Sequence, residues 1–212
     1  MKIGILAAGR VGSTLGRVWV NTGHEVRFGV RDPAAAKIAH LVEELGATAS
    51  AGTVAEAAAF GEVVVVATPW SATKSALKQA GDLAGKVVLD CTNPLQDDLD
   101  TLDVPTSTSG GEQVAKWARG ARVVKIFNTT SSTNMADPNY GDVRVTMLYA
   151  GDDPEAKAVA ADLARDVGFE PVDFGPLRGA RLLEELALAW ITLAYPRGLG
   201  PDFALQVLRR PS

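Results

Sequence analysis

The chain opens on Met1-Lys2-Ile3-Gly4-Ile5-Leu6-Ala7, a short apolar run of strand character, and the residues that follow constrain the fold most. The run breaks at Ala8-Gly9-Arg10-Val11-Gly12 and resumes with helical period over residues 13–20. It turns at Asn21-Thr22-Gly23 and re-enters a strand over residues 25–30 that ends on Arg31. A glycine-rich turn between a strand and a helix, with a second strand about 20 residues on, is a unit that holds a dinucleotide. Gly9 would let the backbone approach a pyrophosphate and Gly12 would let the helix pack closely on the strand, with Arg10 and Val11 between them. The helix start adds free N–H groups and the positive end of the helix dipole. Alanine at position 7 replaces the first glycine of the usual pattern. The same turn can serve as a plain connection in an α/β protein, but its place in the first βαβ unit favours the binding role.

Arg31 bears on which dinucleotide. An NAD site usually ends the second strand with Asp or Glu to grip both ribose hydroxyls, whereas a guanidinium can pair with a 2′-phosphate and stack on adenine. Asp32 has nearly the spacing of the NAD residue, but ahead of Pro33 it reads as a helix cap. The balance favours NADP(H).

Strand-like and helix-like segments alternate through the rest of the chain. Further strands are expected over residues 63–67, 86–90, 122–127, 143–150 and 170–174, as continuous Val- and Ile-rich runs suited to burial on both faces. Helices are expected over 33–45, 53–60, 71–80, 111–119 and 154–167, with Asp32-Pro33 and Asp153-Pro154 as cap-plus-proline starts. Alternation of this kind implies an α/β, Rossmann-type, doubly wound and mostly parallel sheet. Residues 97–111 are polar and turn-rich and read as a mobile loop. From Pro176 onward the pattern changes to an apolar helix over 178–195, a Pro196–Pro201 turn and a short tail. The expected organisation is therefore a dinucleotide-binding domain over 1–175 and a helical cap or dimerisation segment over 176–212.

Ligands on such a sheet lie outside the carboxyl ends of its strands. Those ends carry Thr68-Pro69-Trp70, Thr92-Asn93-Pro94 and Asn128-Thr129-Thr130-Ser131-Ser132. Small polar groups and rigid prolines there can position a nicotinamide ribose and carboxamide. Thr68, Pro69, Trp70, Asn93 and Pro94 are accordingly assigned to the cofactor. Groups for acid–base or nucleophilic chemistry are scarce. His24 lies in a turn away from the expected site, His40 lies mid-helix, and Cys91 reads as a small buried hydrophobe. No metal-ligand cluster or catalytic triad is apparent. The pattern fits a protein that aligns two redox partners.

The 212 residues carry a net charge of −4 with scattered basic residues, which argues against nucleic acid or an anionic membrane as partner. The lone cysteine excludes an intrachain disulfide, and no signal-peptide pattern opens the chain, so a cytoplasmic location is expected.

The glycine turn, Gly29-Val30-Arg31, Thr68-Pro69-Trp70, Gly151-Asp152-Asp153, Gly175-Pro176-Leu177, Ala180-Arg181-Leu182-Leu183-Glu184 and Gly198-Leu199-Gly200 together resemble the NADPH-dependent coenzyme F420 reductase family. The resemblance implies a Rossmann domain with a small helical part, a homodimer, and hydride transfer between NADPH and the deazaflavin of F420 without an essential acid or base. The segment Val123-Val124-Lys125-Ile126-Phe127-Asn128-Thr129 is similar to the cytosolic NADPH domain of six-transmembrane ferric reductases, which implies a flavin as another acceptor. Phe127, Asn128, Thr129 and Leu177 are assigned to the acceptor pocket. The competing readings are an NADPH-dependent reductase of a flavin or a small carbonyl or imine, and a non-catalytic NADP(H)-binding redox sensor.

Overall fold

The computed structural model describes residues 1–96, 101–208 and 210. Its first strand, β1 (Lys2–Leu6), is buried from Ile3 onward and leads through the glycine turn into α1 (Arg10–Asn21) and back to β2 (Glu25–Gly29). The helix starts at Arg10, three residues before its apolar period becomes visible. The chain continues through α2 (Ala36–Leu45), β3 (Ala49–Gly52), α3 (Val54–Phe60), β4 (Val63–Val66), α4 (Trp70–Ala80), β5 (Val87–Asp90) and α5 (Gly110–Trp117). Next come β6 (Arg122–Lys125), a short α6 (Ser132–Ala136) and a hairpin of β7 (Asn139–Tyr140) and β8 (Val143–Arg144). The chain then forms β9 (Thr146–Gly151), α7 (Pro154–Val167), β10 (Glu170–Asp173) and α8 (Ala180–Ala194).

The large sheet has the order β10-β9-β6-β5-β4-β1-β2-β3. From β3 to β6 it is parallel and follows the doubly wound order, so a ligand crevice forms where the order reverses, between β1 and β4. β9 runs antiparallel to β6, and β10 pairs parallel to β9, which makes the sheet mixed. The four valines of β4 are all buried, as expected for a central strand covered on both faces. Side chains of α1, α2 and α7 form one core with the sheet and those of α3, α4 and α5 the other.

Local capping explains several boundaries and corrects one. Asp153 accepts the Ala156 N–H at 2.8 Å and Pro154 occupies the first turn of α7, as expected. Thr53 and Glu56 form a reciprocal capping box at α3. Asp32, by contrast, does not cap α2. Its Oδ1 accepts the Ala34 N–H at 3.0 Å in a local turn, and the helix starts only at Ala36. The strand expected over 143–150 is split by Val145, its first part pairing with β7 and its second with β6 and β10. Of the expected loop 97–111, residues 97–100 lie outside the described residues, and α5 begins at Gly110 behind its Ser109 cap.

After Pro176, a single 3-10 turn over Leu177–Gly179 leads into α8, which packs on α5 and β9. The tail then returns across the start of β9. Gln206 Oε1 accepts the Thr146 N–H at 3.0 Å, and the Val207 N–H is donated to Thr146 Oγ1 at 3.0 Å.

Candidate functional site

The glycine turn lies where β1 ends, at the switch point of the sheet. A Cβ placed on Gly12 would lie 2.2 Å from the Ala7 carbonyl oxygen, so only glycine lets α1 approach the strand this closely. A Cβ on Gly9 would meet nothing within 4 Å, so the turn presents bare backbone to open space. The Ser13 N–H makes the first intrahelical bond, to Gly9, which leaves the N–H groups of Arg10, Val11 and Gly12 without intrahelical partners. The first turn of α1 has no acidic side chain and no side-chain cap. This is the cradle an anionic diphosphate requires. Ala7 itself holds φ at 89°, a left-handed conformation costly for a residue with a Cβ.

A cleft of about 750 Å³ runs outward from this turn. Gly9, Arg31, Thr68 and Pro69 all line it, although they come from three separate strand ends. Lys37, from the first turn of α2, adds a second exposed cation to the wall that holds Arg31. Asp32 lines the same wall. Ser75 and Gln79 of α4 supply polar groups opposite. Sequence reading missed Lys37, Ser75 and Gln79, although Lys37 follows Arg31 by six residues and could have been suspected from charge alone.

The remaining assigned residues lie elsewhere. Trp70 packs against Trp117 of α5, with ring centroids 5.3 Å apart, and does not line the cleft. Phe127 is 1% exposed and lies in the core, its ring 5.9 Å from Trp19 and 6.4 Å from Phe169. Leu177 is buried in the core on the α5 side. None of these three side chains reaches the dinucleotide cleft. Pro94 is also buried, against Gly110. Asn93 and Asn128 bind each other across the ends of β5 and β6. The Asn93 amide is donated to the Asn128 carbonyl at 2.8 Å, and the Asn128 amide to Asn93 Oδ1 at 3.0 Å and to the Leu183 carbonyl at 3.0 Å. Thr129 lines a smaller cavity of about 220 Å³ with Thr130, Thr146, Leu186 and Gln206.

Directly beneath these strand ends lies a charged cluster. Lys125, Asp90 and Glu184 all have fully buried side chains. Lys125 Nζ lies 2.7 Å from Asp90 Oδ2 and 2.8 Å from Glu184 Oε1, and donates to the Thr92 carbonyl at 2.7 Å, so the ammonium is surrounded by three oxygens. Glu184 accepts the backbone N–H groups of Gly110 and Gly111 at 2.8 and 2.9 Å, at the start of α5. Asp90 Oδ1 accepts both the N–H and the hydroxyl of Thr92. Burial opposes the charge on Lys125, but the two carboxylates outweigh it and hold the ammonium above its ordinary value. Cys91, next in the chain to Asp90, is buried, and burial followed by the Asp90 charge pushes its thiol up, which disfavours the thiolate. The sequence offered one signal for this cluster: Lys125 is a charge inside the apolar run Val123-Val124-Lys125-Ile126-Phe127.

His24 binds Asp166 at 2.9 Å just before the amino end of β2, away from the carboxyl ends of the strands, and His40 is exposed on α2. Among the described residues, no group of three or more His, Cys, Asp or Glu is placed to hold a metal ion. No helix of the described residues is long and apolar enough to cross a membrane.

Comparison with known proteins agrees with this geometry. Residues 2–94 match the family described as NADP oxidoreductase, coenzyme F420-dependent. A solved structure of a putative F420-dependent NADP reductase from Arthrobacter sp. FB24 superposes with a TM-score of 0.90 at 33% identity, over 99% of this chain and 100% of that one. The F420-dependent NADP reductase of Methanothermobacter thermautotrophicus is 29% identical over 91% of this chain and 89% of its own length. The metalloreductase STEAP3 of Rattus norvegicus is 33% identical over 88% of this chain, which spans only 36% of that longer protein.

Proposed function

Since the chain belongs to the coenzyme F420-dependent NADP oxidoreductase family, we propose that it transfers a hydride between NADPH and a flat redox cofactor, with coenzyme F420 as the acceptor. The observation that carries the reading is the cleft, in which a bare glycine turn, two cations and the ends of β1, β2 and β4 converge. NADPH supplies the hydride. The N–H groups of Arg10, Val11 and Gly12 hold the pyrophosphate, and Gly9 leaves room for it. Arg31 and Lys37 hold the 2′-phosphate, Arg31 with a planar fork and Lys37 as a point charge. Thr68 and Pro69 line the nicotinamide half. The Asn93–Asn128 pair and Thr129 would border the acceptor side and help to align the two rings. No side chain is assigned as acid or base: the hydride passes directly from the nicotinamide to the acceptor ring, and the proton that completes reduction of the acceptor comes from solvent.

Residues 1–175 form the cofactor-binding body and 176–212 the cap in this reading. The enzyme acts in the cytoplasm as a homodimer. The apolar stripe Leu182, Leu186, Ala189 and Leu193 on one side of α8 faces the second copy, with Leu182 63% and Leu193 43% exposed. Similarity to a metalloreductase supports a second reading, in which a flavin takes the hydride. NADPH oxidation followed with F420, FMN and a panel of small carbonyls and imines separates the two. Fast turnover with F420 alone is the expected result. Turnover with FMN alone supports the second reading, and tight NADPH binding without turnover by any acceptor would overturn both in favour of a sensor.

A further inference from the structure

The cluster of Lys125, Asp90 and Glu184 sets one ammonium against two carboxylates, a net single negative charge with no solvent access. The hydrogen bonds suit that ionisation. Glu184 and Asp90 receive only donors, from two backbone N–H groups, a threonine N–H and hydroxyl, and the shared ammonium. The cluster is also tied to the ends of β5 and β6, next to the β4 end that carries Thr68 and Pro69. Lys125 holds the Thr92 carbonyl, Asp90 holds the Thr92 hydroxyl, and Leu183, next to Glu184, accepts from Asn128. The N-terminus of α5 offsets part of the charge on Glu184, and the Asp90 carboxylate sits at the end of β5.

We propose that this buried negative charge biases the bound nicotinamide towards its oxidised, cationic form, with Asp90, Lys125 and Glu184 acting as positioning residues that fix both the charge and the Thr92–Asn93 edge. The proposal rests on the reading that the nicotinamide half of a bound dinucleotide lies past Thr68 and Pro69 at the end of β4, the strand next to β5. NADP⁺ carries one positive charge on its ring that NADPH lacks. A charge in a low-dielectric interior acts over a longer range than one in water, so the oxidised form gains more from the cluster than the reduced form does. Loss of hydride to an acceptor is favoured accordingly. The cap takes part directly, because Glu184 comes from α8 while Lys125 and Asp90 come from the sheet.

The test compares dissociation constants of NADP⁺ and NADPH by titration calorimetry for the full chain and three variants. Glu184→Gln and Asp90→Asn each remove the excess charge from opposite ends of the cluster with little change of shape. Each is expected to weaken NADP⁺ relative to NADPH by about threefold to tenfold. For a two-electron couple a tenfold change in that ratio equals about 30 mV in the potential of the bound cofactor. Glu185→Gln, which neutralises an exposed neighbour on α8, is expected to leave the ratio unchanged. Thermal melts identify a variant that fails to fold, and the second buried variant then carries the test. An unchanged ratio in a folded Glu184→Gln or Asp90→Asn protein would overturn the inference. Equal loss of both affinities would do so too, as that is what a purely structural latch produces. If the wild-type chain binds neither nucleotide, the functional reading itself fails, a distinct result.

Discussion

Ala7 holds the left-handed conformation that the first glycine of such turns normally takes, with φ at 89°. The strain is worth about 1–2 kcal/mol for a residue with a Cβ, and glycine would give back about 0.5–1 kcal/mol of it through a more flexible unfolded chain. Ala7→Gly is therefore expected to raise the melting temperature by about 1–4 °C without loss of cofactor binding. A lower melting temperature would show that the Ala7 methyl makes packing contacts worth more than the strain. At this scale the sequence was informative wherever backbone chemistry decides. The contrast between Gly9 and Gly12 was legible because one must leave room and the other must close it. Side-chain direction was not legible. Phe127 and Thr129 follow the same strand, yet Phe127 turns into the core with φ at 63° while Thr129 lines a cavity. Lys125 and Glu184 stand 59 positions apart in the chain, and only the fold names them as partners.

Helices α5 and α8 are joined by Glu112 and Arg181, a two-pronged pair at 2.7 and 2.8 Å, with Ser109 adding a bond to Glu112 at 2.9 Å. The Arg181 bonds hold the Glu112 carboxyl below its ordinary value despite partial burial. A depressed carboxylate stabilises the fold above its unfolded value of about 4.3 and loses that contribution as pH falls through the lower folded value. Glu112→Gln should thus cost about 1 kcal/mol near neutral pH and flatten the acid side of the melting profile below about pH 4.3. Wild-type and variant curves that stay parallel into acid would contradict this. The apolar stripe of α8 gives a second test. If α8 forms the proposed dimer interface, the wild-type chain is expected to run as a dimer and Leu182→Glu as a monomer in light scattering, and an unchanged mass would remove α8 from the interface. Elements with strong period or clear caps, such as α7 behind Asp153-Pro154, were legible in sequence. β3 was not, since Ala49-Ser50-Ala51-Gly52 lacks the β-branched signal of the central strands. Asp32 misled because an Asp-Pro step can close a local turn as readily as start a helix.

For the whole molecule, the doubly wound order from β3 to β6 brings a glycine turn, two cations and a threonine-proline step from distant parts of the chain to one cleft. The alternation of strands and helices made that convergence legible before any coordinates, because ligands gather where the strand order reverses. The outer strands were less legible. β9 carries an apolar signal like that of the parallel strands, yet it runs the other way against β6, which places the tail and α8 beside the end of β6. The central claim is that this cleft holds NADPH by its 2′-phosphate. Dissociation constants for NADPH and NADH, measured for the wild-type chain, Arg31→Ala and Lys37→Ala, test it most directly. The wild-type chain is expected to prefer NADPH by about 100-fold or more, with Arg31→Ala costing about 10-fold or more of that preference, Lys37→Ala less, and NADH affinity nearly unchanged in both. Equal affinity for the two nucleotides in the wild-type chain, or a preference that survives Arg31→Ala and Lys37→Ala intact, would contradict the account.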